Sequence, residues 1–242
     1  MFRAELTKLK RSSTWIIAFV LPILAVTTGT INFAGNSNAL DSGWASFTSQ
    51  VVLFYGLLFY SMGISLLAAT AWRMEHRGTN WNLLLTATAK PFRLAAAKVG
   101  AVFIPVTLMQ AVLVTGTAFS GIFVLHLEGP FPWGFAVVGF IALITVQSLL
   151  SMLLKSFAAP VALCLLGCVA GVAAVTSTTL KPIGYILPQA INTRALNLGS
   201  IAIAESGGLT IGDAASLLIT SLALTAALAW ITVPLIQAVK LR

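Results

Sequence analysis

Cys164 and Cys168 stand four residues apart, so on a helix their thiols share one face, one turn from each other. That spacing suits a metal pair, but a closed site needs further ligands, and no His or carboxylate lies between Ser156 and Leu180. Small, polarizable packing residues are the better reading of the two. His76 and His126 are separated by a long apolar stretch and cannot meet in one acid–base site. No GxxxxGK[ST] loop occurs, so the chain does not bind ATP in the P-loop manner. HExxH, a Ser–His pairing of rhomboid type and Asp-rich phosphotransfer motifs are missing as well. The apolar stretches carry no carboxylate, the usual mark of a proton- or sodium-coupled carrier. Gln110 and Gln147 are their strongest polar groups, and helix-to-helix hydrogen bonding explains these better than a substrate role. The sequence thus predicts no enzyme, no metal and no cofactor. If the chain transports, its energy enters from a partner.

Beyond the N-terminal residues 1–13, the one dense group of charged residues lies between Trp72 and Lys98: Arg73, Glu75, His76, Arg77, Lys90, Arg93 and Lys98. Within it, Thr79 or Asn80 can cap a short helix that places Trp81, Leu84 and Leu85 on one face, and Pro91 helps to stop it. An exposed Trp–Leu–Leu face rimmed by arginine and lysine is a docking knob for a soluble partner, since Trp and Arg are frequent at interface hot spots. The same residues also suit anchoring at the membrane surface. From the residues alone, both readings stand.

The elements that hold this segment are membrane spans. The chain of 242 residues is 58% hydrophobic and 8% charged, with mean hydropathy +0.97, outside the range of soluble domains. Charge-free stretches run over Ser12–Leu40, Ser42–Trp72, Val99–Leu127, Gly129–Leu154, Ser156–Leu180 and Ala214–Val239. Each exceeds the roughly 20 residues that a helix needs to cross a bilayer. No period-two alternation supports a β-barrel. The fold class expected is an all-α integral membrane protein of six transmembrane helices, one domain over residues 1–242, without internal repeats.

Lys and Arg placement sets the orientation. Of the 14 basic residues only Lys181 and Arg194 fall opposite the termini, beside Asp41, Glu128, Glu205 and Asp213. By the positive-inside rule both termini are cytoplasmic, and the net charge of +8 is a topological signal rather than a nucleic-acid footprint. The first apolar run is too long for a secretory signal and lacks a convincing small-residue cleavage site, which predicts an uncleaved first span. Ahead of it, residues 1–13 read as an amphipathic interfacial helix with Phe2, Leu6 and Leu9 on one face, or as a plain topogenic flank. Residues 181–213 carry too many apolar side chains for a solvated loop. They read as short re-entrant outer helices, or as one helix lying in the interface.

Glu5 before the first span, the pattern E-x-R-G-x-x-W-N-x-L-L over Glu75, Arg77, Gly78, Trp81, Asn82, Leu84 and Leu85, and K-P-F-R-L-x-x-x-K over Lys90, Pro91, Phe92, Arg93 and Lys98 together resemble ABC-2 type permeases. The subfamily most similar serves lantibiotic immunity and bacitracin-type peptide export. The resemblance extends over the chain in topology, and its motif identity concentrates between Trp72 and Lys98. It implies a bacterial cytoplasmic membrane protein that pairs with itself or with a second permease and works with two copies of an ABC ATPase subunit. An interfacial helix bearing Phe2, Glu5, Leu6 and Leu9, a cytoplasmic coupling helix within residues 72–98, and outer helices within 181–213 are implied too. In this reading Trp81, Leu84 and Leu85 dock on the ATPase, Arg73, Glu75, Arg77 and Asn82 fix the register, and an amphipathic peptide or lipid-like substrate is expelled. The competing expectation is a non-transporting scaffold or sensor-associated subunit whose basic loop binds a cytoplasmic partner.

Overall fold

The computed structural model describes residues 2–10, 12–36, 40, 43–76, 91–133, 141–177, 179–180, 182–196 and 211–240. All its regular elements among these residues are helical. Helix α1 covers Phe2–Lys10, and α2 covers Thr14–Gly35. Helix α3 runs over Trp44–Arg73 with one π-helical turn at Tyr55–Phe59. Helix α4 covers Pro91–Phe119 and ends in a second π-helical turn at Ser120–Val124. Then follow α5 (Ile141–Leu153), α6 (Ala158–Thr176), a 3₁₀ turn at Ile183–Tyr185, α7 (Pro188–Leu196) and α8 (Ile211–Lys240).

Among the described residues three helices are long and apolar enough to cross a membrane, namely Thr14–Gly35, Trp44–Arg73 and Phe92–Val124. Shorter apolar helices lie at Leu143–Leu153, Ala158–Ala174 and Leu218–Leu228. Helix α2 lies along both α3 and α4, while α5 lies between the second half of α3 and α8. Helix α6 meets α3 on one side and α7 on another, and α1 rests on the start of α4. Close approach of α2 and α3 depends on Gly29, where a Cβ would stand 2.6 Å from the Val51 Cα. Small residues at such crossings let backbones meet in a membrane, where apolar burial alone gives no drive for helix pairing. The core gathers Phe47, Val51, Tyr55, Tyr60, Ile64 and Leu67 of α3 against Val102, Val106, Met109 and Leu113 of α4.

Helix α3 begins at Trp44, inside the charge-free stretch Ser42–Trp72, and the hydroxyls of Thr48 and Ser49 bond back to the carbonyls of Trp44 and Ser46, each at 2.7 Å. One boundary differs from the sequence expectation. Helix α4 begins at Pro91 rather than near Val99, so Arg93 and Lys98 stand on a helix. Proline has no N–H to lose in a first turn, and its fixed φ suits that position. The short helix expected around Trp81–Leu85 and the second half of the 181–213 segment lie outside the described residues.

Candidate functional site

Helix α3 ends with Trp72 and Arg73, and in the turn that follows the amides of Glu75 and His76 both bond to the Trp72 carbonyl. Glu75 is 3% exposed and Lys98, from the early turns of α4, is completely buried. A lysine in that position needs acceptors for its three N–H donors. Lys98 Nζ finds Glu75 Oε1 at 2.7 Å, Glu5 Oε2 at 2.8 Å and the Ala71 carbonyl at 2.9 Å. It also lies over the Trp72 ring, 5.3 Å from the centroid, where the ring face attracts a cation.

Helix α1 supplies the other half. Lys8 Nζ donates to Glu75 Oε1 at 2.6 Å and to Glu5 Oε1 at 2.9 Å. Two carboxylates and two ammonium groups therefore form a neutral ring that joins α1, the end of α3 and the start of α4. Neutrality matters, because a buried ion is tolerable only when paired and fully hydrogen-bonded. Burial pushes the Glu75 carboxyl up, but the Lys98 charge and the hydrogen bonds from Lys8 and Lys98 outweigh it and hold the group below its ordinary range. At Lys8 burial works against the charge, and the bonds to Glu75 and Glu5 outweigh it, raising the ammonium above its ordinary value. This ring is called the latch below.

The other side of the same turn is tied to the α5–α6 junction. His76 Nε2 donates to the Ser151 carbonyl at 2.8 Å, and the Arg73 guanidinium lies 5.3 Å from the Phe157 ring centroid. Lys155, Ser156 and Pro160 line the same cleft. The chain thus leaves α3 held on two sides, by ions toward α1 and α4 and by His76 and Arg73 toward α5 and α6.

Of the residues expected to couple to a partner, the structure brings Arg73 and Glu75 to this turn, with Arg73 exposed and Glu75 inside the latch. Arg77, Trp81, Asn82, Leu84 and Leu85 lie outside the described residues. On α1, Leu9 is buried, Leu6 is half-buried and Phe2 is exposed, its ring edge toward Gly100. The expected apolar face is therefore partial, and Glu5 shares the buried side with Leu9. Lys8 and Lys98, the two latch lysines, were absent from the expected site. The signal that could have found them is a lone acid, Glu75, between basic helix ends, with the acid–base pair Glu5 and Lys8 ahead of the first span.

A family model described as ABC-2 family transporter protein matches residues 1–171, from α1 into α6 and across every latch residue. The chain belongs to the ABC-2 transporter family. No curated protein and no solved structure matches it. As an ABC-2 permease it is a non-catalytic, membrane-embedded component of an ABC transporter, and ATP is hydrolysed by a separate ATPase partner. The latch of this permease sits at both ends of residues 77–90, the segment that carries the E-x-R-G-x-x-W-N-x-L-L motif. Residues 172–242, including α7 and α8, lie beyond the matched stretch.

Proposed function

We propose that this ABC-2 permease is the membrane half of a bacterial exporter that expels an amphipathic peptide of the lantibiotic type, or a lipid-like molecule. In this reading α2, α3, α4, α5, α6 and α8 are the six spans, both termini are cytoplasmic, and the turn at 183–185 with α7 enters the outer leaflet. Two permease chains, identical or sister, work with two ATPase subunits. Trp81, Leu84 and Leu85 dock on the ATPase, while Arg73, Arg77 and Asn82 set the register at the rim. Glu75 acts from behind as a positioning residue, since its carboxylate is engaged by Lys8 and Lys98.

The observation that carries the proposal is the latch. Residues 77–90 leave from Glu75 and His76 and return to Pro91, seven residues before Lys98 in the sequence. A push on that segment therefore reaches α1, α3 and α4 together, and reaches α5 and α6 through His76. An ATPase closing below the membrane needs such a shared handle.

The test is ATP hydrolysis by the permease–ATPase complex in lipid, with Trp81→Ala and the Leu84→Ala/Leu85→Ala pair. Loss of a docking anchor of at least ~2 kcal/mol weakens association about 30-fold, so substrate-stimulated hydrolysis collapses while the permease still inserts. Full stimulation in both variants would remove the docking claim.

A further inference from the structure

A polar cluster unconnected with the latch lies where α3, α5, α6 and α7 meet. Ser65 Oγ of α3 lies 2.9 Å from Gln147 Oε1 of α5 and 3.3 Å from the Pro160 carbonyl of α6. The Cys164 thiol of α6 donates to the Ser61 carbonyl at 3.3 Å. Gln189 of α7 lays its amide on Gly167, in the space a Cβ there would fill. Helix α7 meets the π-helical turn of α3 at Thr193, whose hydroxyl lies 3.0 Å from the Gln189 carbonyl of its own helix and 3.3 Å from the Gly56 carbonyl.

Three groups in this cluster have unused hydrogen-bonding capacity: Ser61 Oγ, Gln147 Nε2 and Gln189 Oε1. Their residues are 1%, 0% and 5% exposed. A buried polar atom without a partner costs more than a made hydrogen bond contributes, and a bilayer has no water around the helices to lessen that cost. Helices that needed only to pack would carry Leu or Ala here. Three unused groups on three helices that all pack against α6 are better explained as a site whose partners arrive from outside. The π-helical turn beside it agrees, because such turns interrupt a helix at functional positions more than elsewhere.

The chemistry narrows the ligand. Gln147 offers N–H donors, Gln189 offers a carbonyl acceptor and Ser61 offers a hydroxyl. No charged residue takes part in the contacts described. A donor on α5 and an acceptor on α7, two helices in contact, match the C=O and N–H of an amide, and an ion would find no counter-charge. We infer that Ser61, Gln147 and Gln189 form a binding site within a single subunit for uncharged amide groups, such as those of a peptide backbone. This deepens the peptide-export reading and rests on it for the origin of the ligand.

Cys164 and Cys168 are the chain's two cysteines and stand inside the site, so they report on it without engineering. The experiment measures their alkylation by iodoacetamide in the permease–ATPase complex in lipid nanodiscs, by mass spectrometry. The competing probes are N-acetyl-trialanine amide, which is uncharged, and zwitterionic trialanine. The expected result is labelling of the folded protein that the uncharged peptide slows at least fivefold and the zwitterion does not. Protection disappears in Gln147→Leu and in Gln189→Leu, each checked for an unchanged thermal transition. Either of two results overturns the inference: thiols that stay unlabelled until the protein is unfolded, or labelling indifferent to the uncharged peptide. Because the readout needs no transport, protection without ATP-driven export would refute the exporter and keep the site. Export with unprotected thiols would do the reverse.

Discussion

Replacing Lys98 by Met keeps most of the buried stem and removes only the ammonium. The two carboxylates that faced it, Glu5 and Glu75, are 5% and 3% exposed and would keep Lys8 as their one remaining cation. One net negative charge is left among side chains of which only Lys8 reaches solvent, and the Ala71 carbonyl loses its donor at the same time. Breaking a buried pair from one side costs about 3–5 kcal/mol, a large fraction of the roughly 5–15 kcal/mol that holds a typical domain folded. Adding Glu75→Gln to Lys98→Met restores neutrality, because Glu5 and Lys8 still pair at 2.9 Å. The double variant should therefore recover about half or more of the loss, a coupling within the range that contacting residues show. The assay is a thermal or denaturant transition of the purified permease in one fixed detergent, for the wild type, both single variants and the double variant. If Lys98→Met costs less than about 1 kcal/mol, or if the two losses simply add, the latch is not a closed ionic unit and the argument built on it fails.

Three further outcomes follow from the same geometry. The latch is insensitive to neutral pH: Glu75 is held below its ordinary 4.5, so its contribution is complete above that value and is lost only as pH falls through the lower folded value. Lys8 is raised above 10.5, so its contribution is complete below that value and is lost only as pH rises through the higher folded one. A transition temperature that shifts between pH 6 and 9 in the wild type, but not in Glu75→Gln, would contradict this. At Gly29 an added Cβ meets Val51 backbone that cannot rotate away, so Gly29→Ala should destabilise by about 1–3 kcal/mol in the same denaturation assay. An unchanged transition would mean that α2 and α3 slide apart freely. His76→Ala should cost only about 0.5–1.5 kcal/mol, yet it should lower ATPase stimulation more than stability. Proportional losses of both would reduce His76 to a structural bond.

What the sequence made legible was whatever depends on composition along the chain. Gaps between charges place α2, α3 and α4 well, because a bilayer demands long uncharged helices and the backbone enforces them. The boundary that failed is the start of α4, where a charge is satisfied among the packed helices. Lys98 read as the flank of a span, although it is buried and neutralised by two carboxylates from other helices. The latch itself was illegible for the same reason. Lys8 and Glu75 are 67 residues apart, and no local periodicity reports a contact at that distance. Gln147 was correctly read as a helix-to-helix hydrogen bonder through Ser65, but its unused amide becomes visible only when α6 and α7 are placed around it.

The latch also imposes an order on biogenesis. Glu5 and Lys8 leave the ribosome first, while Lys98 follows roughly 5–20 s later at about 5–20 residues per second. Until then α1 can hold only Glu75, through Lys8, and the second acid of the ring, Glu5, has no cation but its own neighbour. The ring closes only when the start of the third long helix has been made, so a chain stalled before Lys98 keeps α1 on a single tether and open to quality-control proteases.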